Sequence, residues 1–544
     1  MYGCYRSGGT TKPGPHSHFA IAYPSNEIAE KLKPNNKYTE FFNTGALTDD
    51  LKKKSIHSGV FAFSAEGINF VLRLGSISVL ARILIPEHFG LLSMVMAVTV
   101  IAVQFKDMGL SLATVQQKEI THEQVSTLFW INLIVGSVIT LILCLCSRVV
   151  SWFYADQRLV WITMAIATTF FWSGITVQHQ ALLRRRMEYL KISVINVVAT
   201  ICSILVAIVL AVKGYGYWAL VLREVTVSIF VAIGIWIACP WIPGLPKRNT
   251  GIGRMVRFGR DVTGFNIVTY FTDNLDLILL GKFYGPGLLG IYRQAFQLVM
   301  VPIAQINNPV QLVGQSSLSV LQDNVLKFRR YYGRILTLLS FVTMPLAAFL
   351  FVHAKDVVLL VLGPKWVGAV VIFRIFAFAV FIRPVLSTTG LVMIACGKSK
   401  RYLFLGVANS IMIIISIVIG LKWGAVGVAA GHVIENYIVV LPVVYFALRG
   451  TPIGLELFFR SILPSVISSL LMGGVLSIFH STMKIGNSLT AMGASLSIGI
   501  VVYLVAWAMI PGGIQMLKEL FADFVFMFKK AEGGQVVKLS RTGS

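Results

Sequence analysis

Ionisable side chains stand where an apolar chain would exclude them. Glu66, Arg73, Arg223, Glu224, Asp273, Asp276, Arg293, Arg374, Arg383, His432 and Glu435 each interrupt a run of apolar residues. A charge at the centre of a bilayer-spanning helix costs ~2.5–3.5 kcal/mol on insertion scales, so such groups face a cavity or a partner. Arg73, Arg293 and Arg383 suit a multivalent oxyanion such as a diphosphate, because guanidinium presents several donors in fixed directions. Arg383, beside Pro384, fits an interfacial position equally well. Asp276 and Glu435 suit a coupling proton or cation, since a desolvated carboxylate readily exchanges the one or takes up the other. For Asp276 a helix–helix hydrogen bond is the plainer alternative.

Other chemistries find little support. Cys4, Cys144, Cys146, Cys202, Cys239 and Cys396 form no CxxC pair and no cluster with histidine at zinc spacing, so no metal ligand set and no disulfide framework is indicated. Gly397-Lys398-Ser399 ends like a P-loop, but Val392 occupies the required upstream glycine position. His122-Glu123 opens an HExxH pattern that Ser126 does not complete. No G-x-S-x-G arrangement is convincing, and nothing calls for a cofactor.

The elements that must position these charges are membrane helices. Of 544 residues 56% are hydrophobic and 13% charged, with a mean hydropathy of +0.77. A soluble globular protein is about 25% charged and 45–50% apolar, so a soluble fold is excluded. Period-2 alternation is absent, which excludes a barrel. Apolar runs predict fourteen helices at 58–83, 89–113, 125–147, 158–181, 191–212, 217–240, 258–281, 288–312, 332–353, 367–393, 402–421, 424–448, 460–480 and 487–510. Trp152, Tyr154, Tyr217, Trp218, Trp241 and Trp423 near helix ends read as interfacial belts. The formal charge of +24 resolves into topology. About 27 Lys and Arg fall on one side, including Lys52–Lys54, Arg184–Arg186, Arg254–Arg260, Lys398–Arg401 and the C-terminal tail, against 9 on the other. That alternation places both termini in the cytoplasm and removes nucleic acid as a partner.

An internal repeat spans six helices. Leu84-Ile85-Pro86-Glu87-His88-Phe89-Gly90 returns as Tyr284-Gly285-Pro286-Gly287-Leu288-Leu289-Gly290, and Arg184–Tyr189 finds an echo in Gly397–Tyr402. An even period makes the halves run the same way, the arrangement of two bundles flanking a central cavity. The repeat sets Arg73 against Asp273 and Glu66 against Asn266. Opposite charges at equivalent positions could form a gate that closes one side, or a static ion pair. The organisation expected is a disordered cytoplasmic tail at 1–57, a six-helix bundle at 58–240, a basic cytoplasmic linker at 241–257, a second bundle at 258–448, two additional helices at 449–510 and a cytoplasmic tail at 511–544.

Within that frame the sequence resembles the polysaccharide flippases of the multidrug/oligosaccharidyl-lipid/polysaccharide (MOP) exporter superfamily over about residues 48–480. The best local match is Asn274-Leu275-Asp276, the apolar run to Gly281, then Gly285, Leu289-Gly290-Ile291-Tyr292, Ala295, Gln297-Leu298 and Pro302. Leu80-Ala81-Arg82, Phe89-Gly90 and Asp107-x-Gly109-Leu110 fit the matching pattern in the first half. Two residues depart from it. Asp273 stands where the family often has a basic residue, which alters the charge of the cavity, and Gln315 or Ser316 stands where a proline usually precedes Leu318-Ser319.

The resemblance implies an inner-membrane flippase that carries a polyprenyl-diphosphate-linked oligosaccharide to the outer leaflet by alternating access, not an enzyme. It implies a cationic cavity, with membrane lipids and polysaccharide polymerase machinery as partners. An ion-coupled exporter of small amphiphilic drugs on the same fold is the alternative, which Asp273 and Asp276 keep open. A glycosyltransferase or polymerase using polyprenyl-linked sugars would usually carry a sizeable outer loop, whereas the first such loop here offers only Glu87 and His88.

Overall fold

The computed structural model describes residues 51–107, 109–117, 120–247, 253–482 and 488–519, with the backbone alone at 51–63, 101, 104, 107, 253–273, 488–489 and 491. The expectations for residues 1–50 and 520–544, and for the side chain of Asp273, lie outside the described residues. Every described element is helical: α1 (Leu51–Ile83), α2 (Pro86–Asp107), α3 (Leu110–Gln116), α4 (His122–Tyr154), α5 (Arg158–Gly174), α6 (Val177–Arg185), α7 (Tyr189–Val212), α8 (Tyr217–Ala238), α9 (Gly253–Val320), α10 (Val325–Val352), α11 (Ala354–Val361), α12 (Ala369–Val380), α13 (Arg383–Ala395), α14 (Ser399–Gly420), α15 (Gly424–Leu448), α16 (Leu455–Thr482) and α17 (Ser488–Met509). Nine helices among the described residues are long and apolar enough to cross a membrane, or ten if the bent pair α5–α6 is one span. The chain is therefore an all-helical polytopic membrane protein.

Local chemistry sets the element ends. Thr121 and Gln124 form a capping box at the start of α4, each side chain accepting the other's backbone N–H at 3.2 and 3.1 Å. Asn324 caps α10 by accepting the Lys327 N–H at 3.0 Å. Arg185 is 6% exposed and donates to the carbonyls of Thr114, Val115 and Gln117, so it finishes the last turn of α3. α1 starts at Leu51, ahead of the expected 58. The linker expected from 241 onward is anchored in its first part: Gly244 accepts from Trp130 Nε1 at 2.8 Å, and Lys247 pairs with Glu123. Trp241 is fully buried, donating to His122 Nδ1 at 3.0 Å, and Tyr154 is 7% exposed. Both tuck inward rather than forming an interfacial belt, while Trp152 and Trp423 remain exposed.

α9 is two arms rather than one rod. Gly285 sits at φ 77°, ψ 179°, outside helical geometry and in the region that favours glycine. Tyr292 reaches Asp276 at 2.7 Å. Sixteen residues of continuous helix would hold them about 24 Å apart, so the chain reverses at Gly285 and the arms 253–284 and 286–320 lie side by side. A similar reversal through the short turn Leu421–Trp423 packs α14 against α15.

The second arm of α9 crosses α2 in a reciprocal contact. A β-carbon on Gly90 would overlap the Pro286 carbonyl oxygen, and one on Gly290 would overlap that of Pro86. Each helix thus presents a Pro-initiated first turn and a glycine one turn later, and each glycine receives the other's carbonyl. Around this crossing the end of α1 is latched to the segment that follows α10. Trp366 Nε1 donates to Ala81 O at 2.8 Å, and Lys365 Nζ to Arg82 O and Ile83 O at 3.2 and 3.1 Å. These are the carbonyls that the end of α1 leaves without helical partners. In return Ser78 Oγ donates to Val361 O at 2.7 Å and Arg82 Nη2 to Leu360 O at 2.6 Å. α11 and the turn Pro364–Trp366, which supply this side of the latch, occupy the stretch between the predicted helices 332–353 and 367–393.

The neighbouring hairpin is tied to the same end. Arg158 bridges Glu87, in the first turn of α2, and Asp156 in the α4–α5 turn, each at 2.7 Å. Hydrogen bonds from the Arg158 side chain hold the Asp156 carboxyl below the usual carboxylate range, against the opposing effect of partial burial.

Two outcomes follow from this end of the molecule. Gly90→Val and Gly290→Val place a side chain against backbone that cannot rotate away, so each should destabilise the protein by about 1–3 kcal/mol or more in detergent unfolding. Equal melting temperatures for variants and wild type would refute the close crossing. Because the folded pKa of Asp156 is depressed, its stabilisation is present above the unfolded value of about 3.9 and is lost as pH falls through the folded one. Asp156→Asn should therefore lower stability by up to about 1 kcal/mol at pH 7 and converge with wild type under strong acid. A deficit that persists in acid would assign the effect to something other than the carboxylate.

Candidate functional site

Immediately beside the crossing lies a cavity of about 480 Å³, walled by α1, α2, α7 and α8 on one side and both arms of α9 on the other. Arg73 and Ser76 reach it from α1, Ser93 from α2, Thr200 and Ser203 from α7, Arg223 and Glu224 from α8, Asn274 from the first arm, and Arg293, Gln294 and Gln297 from the second. The rest of the wall is apolar, with Leu74, Ile77, Phe89, Leu92, Leu220 and Leu298 among its residues. Such a chamber, apolar with a few convergent polar groups, is typical of a small-molecule site.

The charges in the wall are mostly positive. Glu224 is engaged by its neighbour Arg223, whose Nη2 and Nε lie 2.6 and 3.2 Å from Oε1. Arg73 and Arg293 add two further guanidinium groups to the lining. Ser76 Oγ and Gln294 Oε1 are buried and make no hydrogen bond. An unpaired buried polar atom is costly, and one at a cavity wall is available to a ligand or water.

On the far side of the second arm the fold gathers an ionisable cluster. Asp276, 6% exposed, accepts from the Leu277 N–H at 2.8 Å and from Tyr292 Oη at 2.7 Å, with His432 Nε2 at 3.6 Å. Glu435, one turn beyond His432 on α15, is 3% exposed and neither of its oxygens has a hydrogen-bond partner. Burying an ionised carboxylate without a partner is strongly unfavourable, so this position calls for a proton or a bound cation. Arg383, at the start of α13, is exposed and close enough to act electrostatically on both Tyr292 and Glu435.

The structure thus divides the residues singled out from sequence. Arg73 and Arg293 share the cavity. Arg383 does not line it and lies nearer Tyr292 and Glu435 instead. Glu66 is exposed on α1, two turns from Arg73. The expected pairing of Arg73 with Asp273 falls on a side chain outside the described residues. Asn274 and Gln297 stand in the family-like pattern but not among the cavity candidates, and Ser76 and Gln294 in neither, because neutral polar residues carry no charge signal in an apolar run. The spacing of Arg293, Gln294 and Gln297 along one helical stripe was the available clue.

Known proteins bear on this geometry. Residues 79–371 match the family model described as polysaccharide biosynthesis protein. The lipopolysaccharide biosynthesis protein WzxC of Escherichia coli K12 is 26% identical over 444 residues, covering 78% of this chain and 89% of WzxC. The teichuronic acid biosynthesis protein TuaB of Bacillus subtilis is 27% identical over 303 residues, covering 55% of this chain and 63% of TuaB. Among solved structures, the lipid II flippase MurJ in an inward closed conformation superposes with a TM-score of 0.68 at 15% identity, covering 82% of this chain and 97% of MurJ, a likeness of fold. With more than half its length inside the family model, the chain belongs to the polysaccharide biosynthesis protein family.

Proposed function

We propose that the protein flips a polyprenyl-diphosphate-linked oligosaccharide across the bacterial inner membrane for cell-surface polysaccharide assembly, by alternating access of the cavity beside α9. The observation that carries this reading is the convergence of Arg73, Arg223 and Arg293 on a chamber whose described lining holds one carboxylate, Glu224. Guanidinium groups in a water-poor site bind phosphate oxygens strongly. The amides and hydroxyls of Ser76, Asn274, Gln294 and Gln297 suit the sugar, and the lipid tail stays in the bilayer. The same charge disfavours a cationic drug as cargo.

In this reading the halves 58–240 and 258–448 are pseudo-repeats, and the reciprocal Gly90–Pro286 and Gly290–Pro86 contacts are their shared seam. Counting the reversals at Gly285 and at Leu421–Trp423, the bent pair α5–α6, and α1 and α2, the helices make fourteen crossings. The positive-inside rule puts the basic loops and both termini in the cytoplasm and the latched end outside. Rocking about the seam would release the latch and expose the headgroup. Asp276, His432 and Glu435 form the coupling site, where proton or cation uptake biases one state. One charge crossing 100 mV is worth ~2.3 kcal/mol, so an anionic headgroup also makes the membrane potential relevant.

The direct test is flipping in proteoliposomes loaded with a short-chain polyprenyl-diphosphate oligosaccharide. Arg73→Ala and Arg293→Ala should each cut the rate at least about tenfold, the equivalent of 1.4 kcal/mol, with folding intact. Transport unchanged in both would remove the diphosphate clamp, and export of cationic dyes in place of the lipid would replace the reading altogether. Coupling is tested separately. Glu435→Gln and Asp276→Asn should abolish stimulation by an imposed ion or pH gradient while leaving substrate binding near wild type. Stimulation that survives in both variants would contradict the assignment.

A further inference from the structure

At the end opposite the basic loops, the fold assembles a ligand set that sequence spacing conceals. His353 stands at the α10–α11 junction, Asp356 one turn later in α11, and His480 near the end of α16. His353 Nδ1 lies 3.1 Å from Asp356 Oδ2, and His480 Nδ1 lies 3.7 Å from the same oxygen. One ligand atom from each of the three can be chosen so that all lie within 4.8 Å of one another. A tetrahedral ion bound at about 2.0–2.2 Å places neighbouring ligand atoms about 3.3–3.6 Å apart, between the two histidine–Asp356 separations.

The surroundings are built rather than incidental. His353 is 1% exposed and its ring packs against Phe349 with centroids 4.8 Å apart, so its orientation is fixed. Its Nε2 has no hydrogen-bond partner, leaving the edge that faces Asp356 as the engaged one. His480 is about half exposed and gives an ion a path from solvent. The three residues come from two elements, α10–α11 and α16, that already pack together, so little movement is needed to close the set.

We propose that His353, Asp356 and His480 bind a divalent transition ion of the zinc class. Two imidazoles and one carboxylate match the preferences of zinc, whereas magnesium and calcium require more oxygen ligands. Three protein ligands leave a fourth position for water. The bound ion pins the α10–α11 junction to α16. α11 is the element whose far end offers Leu360 O and Val361 O to Arg82 and Ser78, so the ion stiffens one side of the latch. The site stands on this geometry alone and does not depend on what the protein transports.

The test uses the purified full-length chain in detergent, freed of any histidine tag and stripped with EDTA. Titration with Zn²⁺ should show one high-affinity ion per chain, and Co²⁺ should give the visible absorption of a tetrahedral site. His480→Gln and Asp356→Asn, both partly exposed and expected to fold, should each weaken Zn²⁺ binding more than about tenfold and abolish the Co²⁺ spectrum. Gel filtration and melting of the ion-free variants report their folding. The proposal is overturned if no stoichiometric ion binds, if both variants bind as wild type, or if Mg²⁺ at equal concentration protects as well as Zn²⁺.

Discussion

Two backbones meet at the α2–α9 crossing with no side chain between them, Gly90 under the Pro286 carbonyl and Gly290 under that of Pro86. In a bilayer, apolar side chains gain little by leaving lipid for protein, so close backbone approach is a principal source of helix association. The contact is reciprocal, and neither glycine can be replaced without separating both pairs. Much else follows from it. It brings the end of α1 under Lys365 and Trp366, whose donors satisfy carbonyls that the helix end leaves open. It also sets the second arm of α9 between two chemically distinct compartments.

Those compartments have opposite character. On one side of that arm Arg293, Gln294 and Gln297 face a chamber shared with Arg73. On the other, Tyr292 donates to Asp276 near His432 and Glu435. Arg293 and Tyr292 are consecutive residues, so a small rotation of one helix changes both environments together. That adjacency offers a physical route by which neutralising the carboxylates could shift the cavity, with no longer pathway required.

Much of this was legible in the sequence because membrane helices announce themselves by length, apolarity and the side on which their loops are basic. The turn at Gly285 and the paired segments around Gly90 and Gly290 were visible as a repeat. What escaped notice were features set by tertiary contact. α11 and the turn Pro364–Trp366 read as a loop because Ala354–Val361 is too short to cross a membrane, yet it carries half of the latch. Trp241 looked like an interfacial residue and is buried by His122 and His179. Arg383 looked equivalent to Arg73 and Arg293, but position along a helix does not say which side of a neighbouring arm a side chain faces. The proximity of His353, Asp356 and His480 depends on α10 packing against α16, which no local pattern encodes.

Alternating access about the α2–α9 seam is the claim on which the functional account rests, and paired distance measurements test it most directly. Spin labels at Ile85 and Val367 report the latched end, and labels at Leu112 and Val320 report the basic end; all four positions are exposed. In a cysteine-free background, with lipid-linked oligosaccharide added, the first distance should lengthen as the second shortens. Distances that stay fixed, or that lengthen together at both ends, would contradict rocking about the seam.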